Sequence, residues 1–345
     1  MKPSLARVLL VADTHLGFDL PFRPRIQRRR RGYDFFGNLE RALQPAHEGA
    51  VDIVVHGGDL FYRSKVPAAL VDMAMAPLVQ VAERGIPVYL VPGNHERSRI
   101  PMHLWTAHPN LHIFDRPRTY VCPLGSSSIA LSGFPFTRKV QGEFRNLVDQ
   151  TRYAAVQSDA HLLCMHQTVE GAKVGVQDFT FRNGPDIVRG REIPSAMCAV
   201  LSGHIHRAQV LTRDLGNRPL AAPVIYPGSV ERTSFAERNE DKGYMVVSVG
   251  LMGCDRGRLV DVSFVRLPAR PMISITIEPG KLGGLSLTDQ LRGELAALDP
   301  ESVVRVQVAG FGAARAQRLL TAERLRELAP PSMNITLSPH FPHQR

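Results

Sequence analysis

The sequence predicts a layered α/β fold with two sheets, followed by a small α/β module. Three observations predict it. Early in the chain, apolar runs alternate with amphipathic helical stretches, the pattern of strands joined by helical crossovers. After about residue 110 the runs shorten and strand-like segments crowd together. Near Pro268-Ala269-Arg270-Pro271 the pattern breaks, and a fresh alternation of strand and helix begins.

The elements follow in order. Arg7-Val8-Leu9-Leu10-Val11 is the first strand, leading to Asp13. A basic stretch, Arg23 to Arg31, precedes an amphipathic helix near Tyr33 to Gln44. Ile53-Val54-Val55 is the second strand, leading to Asp59. A helix is predicted from about Pro67 to Arg84, with Leu70, Val71, Met73, Ala74 and Leu78 as its apolar residues and Gly85 as its stop. Val88-Tyr89-Leu90-Val91 is the third strand. Shorter strands are predicted at His112-Ile113-Phe114, Ile129-Ala130-Leu131, Ala208 to Thr212, Val224-Ile225-Tyr226, Tyr244 to Val249 and Leu259 to Leu267. Apolar runs also precede His166 and His204. Beyond the break, Ile273 to Ile277 alternates as a strand and Leu285 to Leu298 reads as a helix. Val303 to Val308 is a strand, Ala322 to Leu328 a helix, and Ile335-Thr336-Leu337-Ser338 a last strand.

Bulk properties narrow the class. A chain of 345 residues that is 44% hydrophobic can bury a large core and carry two domains. Its net charge of +10 is expected of a protein that meets nucleic acid, although such a charge also serves solubility. Uninterrupted apolar runs are too short for a membrane span, and the N-terminus enters a strand without signal-peptide architecture. Cys122, Cys164, Cys198 and Cys254 are too scattered for a zinc site or a disulfide framework, so a reduced cytoplasm fits. Cys164 and Cys198 lie in apolar runs and read as small buried hydrophobes.

The chemistry lies at the ends of the strands. Asp13-x-His15, Gly58-Asp59, Gly93-Asn94-His95-Glu96, His166 and Gly203-His204-x-His206 each follow an apolar run. The carboxyl ends of strands in helix-covered sheets are where ligands collect. Asp-x-His on an extended segment is expected to point both side chains one way. Asp59 has two oxygens and can bridge two cations. Asn94 supplies a neutral oxygen, and the preceding glycines permit close approach. Oxygen and imidazole donors together suit a pair of divalent metals, hence phosphate ester chemistry. A lone Asp-x-His or Gly-Asp is common by chance; all of these motifs in this order are not.

The set resembles the calcineurin-like metallophosphoesterase superfamily over roughly residues 7 to 250. Within it the chain is most similar to the SbcD-type DNA repair nucleases. Asp13-Thr14-His15-Leu16-Gly17, Gly58-Asp59-Leu60-Phe61 and His166-Gln167-Thr168-Val169-Glu170-Gly171 carry that likeness. So do Tyr226-Pro227-Gly228-Ser229-Val230-Glu231-Arg232 and Asp241-Lys242-Gly243-Tyr244. The resemblance implies a two-sheet sandwich flanked by helices over residues 1–267, then a small DNA-facing capping domain over 268–345. It implies that Asp13, His15, Asp59 and His206 hold one metal, and Asp59, Asn94, His166 and His204 the other. The implied metal is manganese, activating water for in-line attack on phosphorus. His95 is implied to stay off the metals, face the scissile phosphate and help stabilise or protonate the leaving group. An SbcC-type ATPase partner and a homodimer are implied too. The tail 339–345 is shorter than the helical segment through which such an ATPase usually binds. One departure stands out. Family nucleases often carry a second histidine three residues after the bridging aspartate, where this chain has Tyr62. Tyrosine can donate a hydrogen bond or stack on a base but is a poor acid at neutral pH.

Other residues complete the reading. Arg28, Arg29 and Arg30, with Arg31, are candidates for phosphate contacts on DNA. Arg138, Lys139, Arg182, Arg189 and Arg191 read as solvent-facing, Lys173 to Pro194 as a polar loop beside His166, and Trp105 as packing. His56 lies within a strand and reads as structural. Three functions compete: a manganese-dependent DNA exonuclease or endonuclease in repair, a phosphoesterase on a small nucleotide or diester, and a non-catalytic DNA-end scaffold. The charge and the extra module favour the first, Tyr62 weakens it, and the full donor set argues against the third.

Overall fold

A computed structural model of the chain describes residues 5–20, 31–96, 108–281 and 286–338. They fall into two compact units. One runs to Phe18 and resumes from Gly32 to Pro268; the other runs from Ala269 and takes in Asp19 and Arg31.

The first unit opens with β1 (Leu5–Val11), α1 (Gly32–His47), β2 (Ile53–His56), α2 (Ala68–Glu83), β3 (Val88–Leu90) and β4 (Leu111–Ile113). Next come β5 (Arg118–Leu124), β6 (Ser127–Gly133), α3 (Val140–Gln150) and β7 (Ala160–Met165). Four short strands follow: β8 (Thr168–Val169), β9 (Lys173–Val174), β10 (Phe179–Thr180) and β11 (Ile187–Val188). The unit closes with β12 (Ala199–Ser202), β13 (Gln209–Arg213), β14 (Pro219–Tyr226), β15 (Lys242–Gly250) and β16 (Leu259–Leu267).

Two six-stranded sheets form its centre, in the orders β16-β15-β1-β2-β3-β4 and β13-β14-β12-β7-β6-β5. β1 to β4 are parallel, with β15 and β16 added antiparallel. In the second sheet β6, β7, β12 and β14 are parallel, and β5 and β13 form antiparallel edges. Val8, Leu10, Ile53, Val55 and Tyr89 of one sheet pack against Ile129, Leu131, Leu162, Cys164 and Leu201 of the other. The first sheet's opposite face meets α1 and α2, which touch β1 and β3. On α1, Phe35, Leu39, Leu43 and Ala46 are buried at helical spacing. On α3, Val140, Phe144 and Val148 form a narrow buried stripe over Leu163, Met165 and Val200 of the second sheet. Strands covered on both faces need apolar residues at successive positions, which is why Val8 to Val11 of β1, Ile53 to Val55 of β2 and Ala199 to Leu201 of β12 read as continuous apolar runs.

Some elements differ from expectation. β5 and α3 carry little apolar signal: β5 is a mostly half-buried edge strand, and α3 buries three residues. Met73, expected among the apolar residues of α2, is 40% exposed, so the buried face is Leu70, Val71, Ala74, Met75 and Leu78. The polar 173–194 segment contains the β9–β10 hairpin, and β11 pairs with β8.

The second unit holds a parallel sheet of β17 (Met272–Ile277), β18 (Val303–Val308) and β19 (Asn334–Leu337). Its helices are α4 (Leu287–Ala296), α5 (Ala313–Leu319) and α6 (Ala322–Leu328). Ser286 caps α4 by accepting from the Asp289 N–H, and Thr321 caps α6 from the Arg324 N–H. Ile275, Ile277, Leu291, Leu295, Val304, Val306 and Leu325 form its core. Cys122, Cys164 and Cys198 are buried thiols, Cys254 is exposed, and all four are free. Among the described residues no helix is long and apolar enough to cross a membrane.

Candidate metal centre

The loops after β1, β2, β3, β7 and β12 meet at one end of the two sheets. Their backbone is unusual. Asp13, His15, Asp59 and His204 have φ of 51°, 43°, 52° and 84°, the left-handed region. Each costs of order 1–3 kcal/mol and persists only where the surroundings enforce it. The enforcement is visible: the Asp13, His15 and Leu16 N–H groups donate to the Gly58, Asp59 and Leu60 carbonyls at 2.9, 3.0 and 2.8 Å. This corrects the extended geometry expected for Asp13-x-His15. Both residues lie beyond the end of β1, on curled backbone zipped to the Asp59 loop.

Two glycines explain how the groups approach. A Cβ on Gly58 would overlap the His166 ring, and one on Gly93 would overlap the Asp59 carboxylate. At both positions the missing side chain leaves room for a polar group of the cluster.

The expected side chains converge. Nε2 of His15 and Nε2 of His206 lie 2.9 Å apart. Asn94 Oδ1 is 2.9 Å from His204 Nδ1 and 3.2 Å from His166 Nε2. Asp59 Oδ2 is 3.5 Å from His166 Nε2 and 3.7 Å from His95 Nε2. Asp13 Oδ1 is 4.0 Å from His206 Nε2, and both its oxygens accept the His204 N–H. Asp13, His15, Asp59 and His166 are buried, yet His15 Nδ1 has no hydrogen-bond partner among the described residues. Facing imidazole nitrogens, buried carboxylates and an amide oxygen form a donor set that fits divalent cations.

Tautomers follow from what the other ring nitrogens meet. Nδ1 of His166 lies 2.7 Å from the Gly57 carbonyl, and Nδ1 of His95 lies 2.5 Å from that of Tyr62. A carbonyl only accepts, so both Nδ1 atoms carry hydrogen and both Nε2 atoms face the cluster.

The electrostatics are those of opposed charges held out of water. Burial favours neutral Asp59, but the His166 charge and hydrogen bond outweigh it and hold the carboxyl well below its usual range. Burial lowers His166, and the Asp59 charge reverses the sign, leaving it at about 9. Burial pushes Asp13 up to about 6 against the pull of His166 and His206. His204 falls to about 3, through burial first and then the His166 charge.

Supporting residues lie behind the cluster. Glu96 accepts the N–H groups of Asp59, Phe61 and Gly93 at 2.9, 2.9 and 2.7 Å, tying the loops after β2 and β3 together. Burial and the Asp59 charge push its carboxyl to about 8, against the pull of those donors. Sequence reasoning gave Glu96 no role, although its place in Gly-Asn-His-Glu was the available signal. It also missed Glu237, which meets His206. Burial raises Glu237, but the His206 hydrogen bond and the Lys242 charge prevail and hold it well below the carboxylate range. His56 is structural: Nδ1 accepts the Gly58 N–H, so Nε2–H faces Thr14 Oγ1, whose hydroxyl donates to the Leu60 carbonyl.

Tyr62 is half-buried, its ring 4.8 Å edge-on from Phe18 and 6.1 Å from each of His15 and His95. Arg28, Arg29, Arg30 and Trp105 lie outside the described residues.

Comparison with known proteins places this geometry in a family. The calcineurin-like phosphoesterase profile matches residues 6–208. The DNA double-strand break repair protein Mre11 of Methanopyrus kandleri is 25% identical over 329 residues, covering 88% of this chain and 68% of that protein. Mre11 of Archaeoglobus fulgidus is 24% identical over 335 residues, covering 92% of this chain and 71% of that protein. Among solved structures, a dimetal phosphatase from Danio rerio aligns with 15% identity and a TM-score of 0.42, over 76% of this chain and 99% of that one. This chain belongs to the calcineurin-like phosphoesterase family and is a metal-dependent phosphodiester hydrolase.

Proposed function

We propose that the protein is a DNA nuclease of DNA repair, acting as an exonuclease, an endonuclease or both with two manganese ions. The observation that carries the proposal is the convergence of the strand-end donors in a chain similar to Mre11 over most of its length. Asp13, His15, Asp59 and His206 would hold one ion, and Asp59, Asn94, His166 and His204 the other. Bound divalent ions supply a water ionised near neutral pH and charge to offset the phosphate oxygens.

The chain's own residues do the rest. Asp59 lies between the two donor groups, its Oδ2 facing His166 and His95 and its Oδ1 accepting the His95 N–H at 2.9 Å. The His95 ring is 31% exposed and hangs by Nδ1–H from the Tyr62 carbonyl. With Nδ1 so occupied, Nε2 is the nitrogen that would pass a proton to the departing oxygen. The Tyr62 backbone orients His95 whatever side chain the position carries, while its ring offers a surface for a base.

In this reading residues 268–345 act as the capping domain, Arg28, Arg29 and Arg30 contact phosphates, and an SbcC-type ATPase and a second copy of the chain are partners. One observation favours a second reading, hydrolysis of a small phosphodiester: Tyr62 stands where family nucleases often carry histidine.

The test is cleavage of end-labelled duplex and single-stranded DNA with Mn²⁺, beside Asp59→Ala and bis(p-nitrophenyl) phosphate. Metal-dependent shortening of DNA that disappears in the variant supports the proposal. Hydrolysis of the small diester alone replaces it with the second reading.

A further inference from the structure

We propose that Glu237 is a positioning residue for the metal centre, fixing the His206 ring so that Nε2 faces Asp13 and His15. The inference rests on His206 being a metal ligand. Of the histidine rings anchored through Nδ1, His166 and His95 hang from backbone carbonyls, which no substitution at the anchoring position removes. His206 is anchored by a side chain, its Nδ1 3.2 Å from Glu237 Oε1. Its Nε2 then points at His15 Nε2, 2.9 Å away, and at Asp13.

Glu237 is itself held from several sides. Thr233 Oγ1 donates to Oε1 at 2.6 Å, and the Ser234 hydroxyl adds a longer bond at 3.3 Å. Oε2 accepts from Lys242 Nζ at 2.6 Å and from Ser229 Oγ at 3.4 Å. Lys242 is fully buried. An ammonium has three donors, and this one meets three acceptors: Glu237, Glu240 Oε2 at 3.2 Å and the His206 carbonyl at 2.9 Å. One cluster therefore grips His206 twice, by its ring through Glu237 and by its backbone through Lys242. A carboxylate behind a histidine that presents its other nitrogen to a metal fixes ring tautomer and orientation.

The test uses Glu237→Ala and Glu237→Gln in the full chain. In the metal-free protein, ¹⁵N imidazole spectra report the His206 tautomer. Wild type and Glu237→Gln, which keeps an acceptor oxygen, are expected to show Nδ1–H; Glu237→Ala is expected to lose that preference. Titration with Mn²⁺ alone is expected to show one equivalent weakened about 10- to 100-fold in Glu237→Ala, the other unchanged. An unchanged tautomer in Glu237→Ala overturns the proposal. So does equal weakening of both equivalents, which marks a merely structural role. Failure of the wild type to bind Mn²⁺ would instead defeat the reading of the site, and the tautomer measurement would still judge Glu237.

Discussion

At the scale of single residues, His95, His166 and His206 each anchor one ring nitrogen and turn the other toward the cluster. His95 shows the consequence. Its Nδ1 is tied to Tyr62 and its Nε2 faces Asp59, so on the proposed reading His95→Asn should leave the proposed metal donors in place while removing the proposed proton donor. The expected loss is about 10²- to 10⁴-fold in kcat, with Mn²⁺ stoichiometry intact, as single-turnover cleavage and metal titration would show. Loss of metal together with activity would instead make His95 a ligand. His166 contributes to the pH behaviour beside Asp13 and Glu96. Its folded value of about 9 lies above the ordinary 6.5, so protonation stabilises the metal-free fold. That contribution is complete below pH 6.5 and disappears as pH rises through about 9. A cation competes with the same proton, so Mn²⁺ affinity should climb between pH 6.5 and 8.5. Calorimetric titrations across that range check it; a flat profile contradicts the assignment.

At the scale of elements, most of the site was legible because fully buried parallel strands declare themselves as apolar runs, and the polar residues after them stand out. The geometry was less legible. Alternation along a strand suggested that Asp13 and His15 share a face of extended chain, yet both sit on left-handed backbone. No local pattern announces that conformation, because it is imposed by the neighbouring Asp59 loop. Glu237 was hidden for a related reason: the His206 ring that it holds is 31 residues away, and no spacing joins them, while Lys242 was visible only within Asp241-Lys242-Gly243-Tyr244, without its contact to the His206 carbonyl. Lys242→Met tests that element. It leaves Glu237 buried without its cation, while Glu240 keeps Arg207 at 3.2 Å, and should cost about 3–5 kcal/mol in urea unfolding. A change below about 1 kcal/mol would show that the ion cluster contributes little.

At the scale of the whole molecule, the proposed DNA substrate and the net charge of +10 together make salt dependence a test. Phosphate contacts release counterions, so DNA affinity should fall steeply between 50 and 200 mM salt. Hydrolysis of a small diester draws on the metal centre alone and should stay nearly constant over that range. Parallel salt series with both substrates check this; identical slopes would remove charge-based DNA binding from the account. On the proposed reading, the donors around Asp59 gather two cations. Titration of the metal-free protein with Mn²⁺, beside Asp59→Ala, addresses it most directly. Two equivalents per chain in the wild type, both weakened in the variant because one carboxylate serves both, is the predicted result. A single equivalent, or two that survive the loss of Asp59, would contradict it.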